Sequence, residues 1–132
     1  MAFEGPQPLK ITGLIAGADL TAVGNQYKFV KLTAARTIGL CAAATDKPIG
    51  VLQNRPYTGD PAEVVAIGQT KVQGDADLAY GDSIGTSADG QAAAYTASDT
   101  TKYIVGTVIE DNAAAGGLIT AVVNCVGART LA

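Results

Sequence analysis

Along most of the chain, apolar residues come in short runs cut by Gly, Asp and Pro, and within several runs they fall on alternate positions. That period of two is the mark of strands, not helices. It predicts strands at Tyr27–Leu32, Thr37–Cys41 and Ile49–Gln53, with Tyr27, Phe29 and Lys31 on one face of the first. Glu63–Ile67 and Gln69–Val72 read as one long strand bent or bulged at Gly68. Asp82–Ser87 and Gln91–Thr96 are joined through Ala88-Asp89-Gly90, and Asp-Gly between two strands is a hairpin signal. Lys102–Ile109 places Tyr103, Val105, Thr107 and Ile109 on one face and Ile104, Gly106 and Val108 on the other. Leu118–Val126 is apolar on both faces. Two-sided apolar strands are either buried on both sides or turned toward a partner.

Between strands lie turn clusters, Thr45-Asp46-Lys47-Pro48 and Tyr57-Thr58-Gly59-Asp60-Pro61 among them. Asp75–Tyr80 reads as a single helical turn with Asp75 as its N-cap. No amphipathic pattern long enough for a further helix survives the glycines. The expected fold is therefore all-β, a small barrel or sandwich. Residues 1–25 look different. Pro6 and Pro8 favour extended backbone, and only Leu9–Ile15 has strand character. This stretch reads as an extended N-terminal arm, with a single β-rich domain over 26–132.

Composition sharpens the picture. Of 132 residues 24 are Ala, while Trp is absent and Phe occurs twice, so the core is light. Assembly with other chains is one way to add burial. Net charge is −3 and the nine Lys and Arg residues are scattered, which disfavours nucleic acid and anionic membranes as partners. The opening residues lack the pattern of a signal peptide, and no run is long enough for a membrane-spanning helix, so the expectation is a soluble protein. With no histidine, the commonest general base and metal ligand is missing, and no Ser-His-Asp or Cys-His site can form. Ser83, Ser87 and Ser98 sit in turn or hairpin surroundings. Asp75, Asp77 and Asp82 read as caps and solvated turns, not as a cation site. Cys41 and Cys125 read as small buried side chains. Neither an enzyme nor a cofactor is expected.

One ordered set of motifs remains. Ile49-Gly50-Val51-Leu52-Gln53-Asn54 precedes Glu63-Val64-Val65-Ala66-Ile67-Gly68, followed by Gly81-Asp82-Ser83-Ile84-Gly85 and Asp89-Gly90-Gln91. Ile104-Val105-Gly106-Thr107-Val108-Ile109 and Gly117-Leu118-Ile119-Thr120-Ala121-Val122-Val123 close the series. Over Tyr27 to Val126 this order resembles the capsid decoration (cement) proteins of tailed bacteriophages. The resemblance implies a small β-barrel or β-tulip subunit, often trimeric, docked on the outer surface of a phage head and made in the host cytoplasm. It implies the major capsid protein as partner, and an arm that adds to a capsid strand. On that reading Phe3, Leu9, Ile11 and Leu14 are expected to contact the shell. Tyr103, Val105, Val122 and Val126 are expected at the subunit interface. Rival readings are another virion part (a head fibre base, a minor capsid protein or a tail-tube element) and a carbohydrate-binding module using Tyr57 and Tyr95. A hydrolase is the weakest, needing two carboxylates brought together in a cleft.

Overall fold

The computed structural model describes residues 9–76, 78–96, 98–111, 116–127 and 129–130. Its strands are β1 (Leu9–Ile11), β2 (Ile15–Ala16), β3 (Phe29–Ala34), β4 (Thr37–Leu40), β5 (Gly50–Leu52), β6 (Val64–Gln73), β7 (Ser83–Thr86), β8 (Ala92–Ala94), β9 (Tyr103–Ile104), β10 (Gly106–Glu110), β11 (Leu118–Asn124) and β12 (Arg129–Thr130). A 3-10 turn at Val23–Asn25 is the only helical element among the described residues. The fold is all-β, as the alternation predicts.

The strands join in a mixed sheet ordered β2-β4-β3-β5-β6-β11-β10-β7-β8, with β1 added beside β6 and β9 pairing separately with β12. Pairing is antiparallel except for β2 on β4. The ten-residue β6 is the spine. Its Val64–Ile67 part takes β1, its first two residues also take β5, and Ile67–Gln73 takes β11. The far end curls back, because Gly74 bridges to Ala92 and the Asp75 N–H donates to the Ala92 carbonyl. The hairpin predicted at Asp89-Gly90 joins β7 to β8, with Gly90 at φ 76°, a conformation glycine takes without steric cost.

Two apolar cores lie on opposite faces of β3, β5 and β6. Phe29, Val51 and Val65 point into a main core with Val72, Leu78, Ile84, Val108, Ile119 and Val123. Their chain neighbours Val30, Leu52 and Val64 point the other way, into an outer core with Leu14, Ala16, Leu20, Ile38 and Ala62. This is why these strands are apolar on both faces: the chain covers both sides itself. Gly50 of β5 sits so close to Val64 and Val65 that an added Cβ would strike the Val64 side chain and the Val65 backbone.

Four expectations about the elements need correction. Residues 9–25 are not an arm. β1 and β2 are paired into the sheet, and Leu14, Ala16 and Leu20 are buried. Asp75–Tyr80 is not a helical turn, because backbone groups around it are already committed to strands: Asp75 donates to Ala92 and Gly81 donates to Val108. Leu78 meanwhile fills the main core. In Lys102–Ile109 the faces switch midway. Val105 and Val108 are buried while Thr107 and Ile109 are exposed, because the chain leaves β12 after β9 and joins β11 and β7 from Gly106. The strand predicted from Tyr27 begins at Phe29, since Tyr27 has φ 67°.

Candidate interaction surfaces

Among the described residues no three His, Cys, Asp or Glu side chains gather as a metal site would require. Asp46 and Asp82 serve turns. Asp46 Oδ2 accepts from the Ala42 and Ala43 N–H groups and from Lys31 Nζ at 2.8 Å. The Lys31 hydrogen bond, followed by the Ala42 N–H, holds the Asp46 carboxyl below its ordinary pKa. Asp82 accepts from the Ala79 N–H, while burial raises the Asp75 carboxyl. Asp77 lies outside the described residues. Cys41 and Cys125 are buried free thiols, and burial pushes each up to about 12. Thiols so far from ionisation are poor nucleophiles. The Tyr95 hydroxyl donates to the Thr86 carbonyl at 2.6 Å, whereas Tyr57 is exposed on the β5–β6 loop.

The surface offers more than the interior. The first region is N-terminal. β1 has β6 as its one described neighbour, leaving its other edge as a row of backbone donors and acceptors. Leu9 is 55% exposed and Ile11 half-buried, whereas Leu14, at 5%, belongs to the outer core and is withdrawn from the surface. Phe3 lies outside the described residues. Beside β1 runs an open groove of about 430 Å3 lined by Ile11, Leu14, Ile15, Pro61 and Ala62, with Lys10 and Glu63 among its polar residues. Of the predicted shell-contact residues, the fold thus brings Leu9 and Ile11 to one accessible edge.

The second region is the outer face of β10, β11 and β6. Thr107, Val122 and Gln69 are register partners across the three strands, so their side chains share that face. Val122 is 44% exposed and Val126, just past β11, 70%. Val105 is buried in the main core and is corrected as an interface residue. Tyr103 packs half-buried against that core, with Lys47 Nζ 6.0 Å from its ring centroid.

One polar cluster gave no signal in the sequence. Buried Gln73 donates through Nε2 to the Gly24 and Gln26 carbonyls at 2.8 and 2.7 Å and accepts from Gln91 Nε2 at 3.3 Å. It pins the segment ahead of β3 to the end of β6. An amide in the last position of an apolar strand looks like an ordinary strand end until its partners, far off in sequence, are known.

No family model matches the chain, and no curated protein matches it in sequence. Solved structures do match in fold. One is the head fibre gp8.5 N base of bacteriophage phi29, with a TM-score of 0.65 and 21% identity over 90% of this chain and 96% of that one. Another is a chain from the capsid of the Myoviridae phage XM1, with a TM-score of 0.60 and 18% identity over 94% of this chain and 88% of that one. Nearly the whole of this chain therefore shares its fold with a phage head fibre base and with a chain of a phage capsid.

Proposed function

We propose that this chain is a non-enzymatic structural part of a phage virion. It decorates the outer surface of the head, bridging neighbouring subunits of the major capsid protein as a small homo-oligomer, a trimer by resemblance. The observation that carries this reading is the whole-chain fold likeness, which spans 96% of the phi29 head fibre base and 88% of the XM1 capsid chain. The open edge of β1 supports it. An edge strand with an apolar groove beside it suits β-augmentation, where main-chain hydrogen bonds supply affinity and side-chain pockets supply specificity. Leu9 and Ile11 are the contact residues on this edge, with residues 1–8, Phe3 among them, leading into it.

The test is cosedimentation with heads stripped of the protein, using the full chain and a chain lacking residues 1–8 that also carries Leu9→Asp. These changes leave Leu14, Ala16 and Leu20 in place, so the outer core is preserved. Saturable binding by the full chain, weakened tenfold or more in the variant, is the expected result. Binding by neither chain to any head would overturn the reading.

The stronger of the two fold matches favours a second reading, the base of a head fibre. Electron microscopy of labelled particles separates the two. A decoration protein tiles the shell, whereas a fibre base marks the foot of a projecting fibre.

A further inference from the structure

The strap formed by residues 9–20 is joined to the rest of the molecule in an unusual way. Its backbone bonds run to residues beyond β3, with Ile15 N–H to Arg36, Gly17 N–H to Ile38, Leu20 N–H to Pro56, and Ala62 N–H to Leu14. Its buried side chains Leu14, Ala16 and Leu20 pack on Val30, Ile38, Leu52 and Val64 of the body. The body thus presents an apolar face that the strap covers. The strap is tied to that face by noncovalent contacts that an identical strap from another copy would reproduce.

The link between strap and body is thin. Val23–Asn25 buries no residue, Val23 is 78% exposed, and no side chain caps the turn. A Cβ on Gly24 would meet nothing within 4 Å. The link lies beside an open hollow of about 300 Å3 lined by Val23, Gly24, Gln26, Tyr27, Gln73 and Leu118. Ala22 and Gln26, on either side of the turn, are extended, and Tyr27 follows with φ 67°. A left-handed non-glycine residue is strained and persists only where its surroundings hold it. Here they do: the Tyr27 N–H donates to Leu52, its carbonyl accepts from Gln73 N–H, and Gln73 Nε2 holds Gly24 and Gln26. The chain therefore turns back on itself through an exposed glycine link that ends at a strained residue and is latched by one glutamine.

We propose that the body face made by Val30, Ile38, Leu52 and Val64 is an interface between copies, occupied by the Leu9–Leu20 strap of a second copy of this chain. Exchange of an identical element keeps every strap contact, and only the link changes course. A short flexible link presents the chain's own strap at an effective concentration of roughly millimolar, and a second copy must compete with that. Exchange leaves the Tyr27 bonds to Leu52 and Gln73 intact, so a second copy displaces the chain's own strap only where its concentration matches or exceeds that value. Exchange is then expected in concentrated protein and wherever copies stand side by side. The inference does not rest on the virion reading, and its test uses no phage head.

Ile15 and Thr37 are register partners of β2 and β4, and neither is buried. The full chain carrying Ile15→Cys and Thr37→Cys is oxidised at high concentration and run on a denaturing, non-reducing gel, beside light scattering of the unmodified chain. The buried native thiols serve as an internal control, visible in a parallel sample without the two substitutions. Covalent multimers that depend on both new cysteines, with multimers in light scattering, are expected. Gln73→Met removes the latch and should raise the interchain fraction severalfold, while two glycines inserted after Val23 should lower it about tenfold. A chain that is monomeric at its highest soluble concentration, with cross-links formed only within single chains, would overturn the proposal. So would an interchain fraction that neither variant changes.

Discussion

The two cores share three strands yet differ in who supplies their walls. The main core is closed by residues from Phe29 to Cys125. The outer core draws three of its eight buried residues, Leu14, Ala16 and Leu20, from the strap ahead of the exposed link. Long-range strand pairing closes the first, so it should open only with the whole fold. The second should open locally when the strap lifts, since elements with few buried contacts occupy the low-stability end of a structure. Apolar burial alone does not say which core carries global stability; the path of the chain around it does.

Breaking the main core should have the largest effect. Phe29→Ala is expected to cost about 4 kcal/mol in urea unfolding, because Phe29 is fully buried in a core that draws on β5, β6, β7, β8, β10 and β11. Gly50→Ala comes next, at about 3 kcal/mol, by forcing β5 away from β6 and so disturbing both cores. Leu20→Ala should cost about 2 kcal/mol. Its signature is different: amide exchange should quicken across residues 9–20 while β11 and the Gln69–Gln73 end of β6 stay protected. Equal loss of protection in β11 would erase the distinction between the cores.

Cysteine labelling sharpens the comparison without a denaturant. With both thiols raised to about 12 by burial, almost none is ionised at pH 8. Maleimide should leave the native chain unlabelled and react fully once it unfolds. Because both thiols belong to the main core, Leu20→Ala should leave labelling slow and Phe29→Ala should speed it. The smallest effect belongs to Asp46, on the loop after β4. Its folded pKa lies below the unfolded value of about 3.9, so its contribution is complete above that value and is lost as pH falls through the folded one. Asp46→Asn should lower the urea midpoint slightly at pH 7, and the gap to the native chain should close as pH falls through the folded value.

Most of the strands and the all-β class were legible because alternation and turn residues are local signals. The single long strand running through Gly68 and the Asp89-Gly90 hairpin are examples. The strap was legible only in part: its strand character over Leu9–Ile15 could be read, its burial could not. Its backbone N–H groups donate in turn to Arg36, Asp60, Ile38 and Pro56, so no single partner imposes a period on its side chains. Leu14 and Ala16, two apart, are a faint trace of that burial, and the glycines on either side obscure them. The Asp75–Tyr80 segment carried a capping signal that tertiary bonding to Ala92 overrode. At the surface, Leu9, Ile11, Val122 and Val126, expected as contacts on the resemblance, are exposed or half-buried. Val105 was lost because the chain changes partner there, an event that leaves no mark in the alternation.

The tight fit of Gly50 has a further consequence. In most sheets a strand that slips by one position turns polar residues inward, and that cost fixes the alignment. Here Phe29-Val30, Val51-Leu52 and Val64-Val65 are apolar pairs, so a slip would trade one apolar residue for another and hydrophobicity would raise no objection. Size raises it instead. A shift of β5 by one position brings Ile49 or Val51 to the place where even a methyl group strikes Val64 and Val65. Gly50 thus works as a key: of the alignments that hydrophobicity alone would tolerate, its missing side chain admits one.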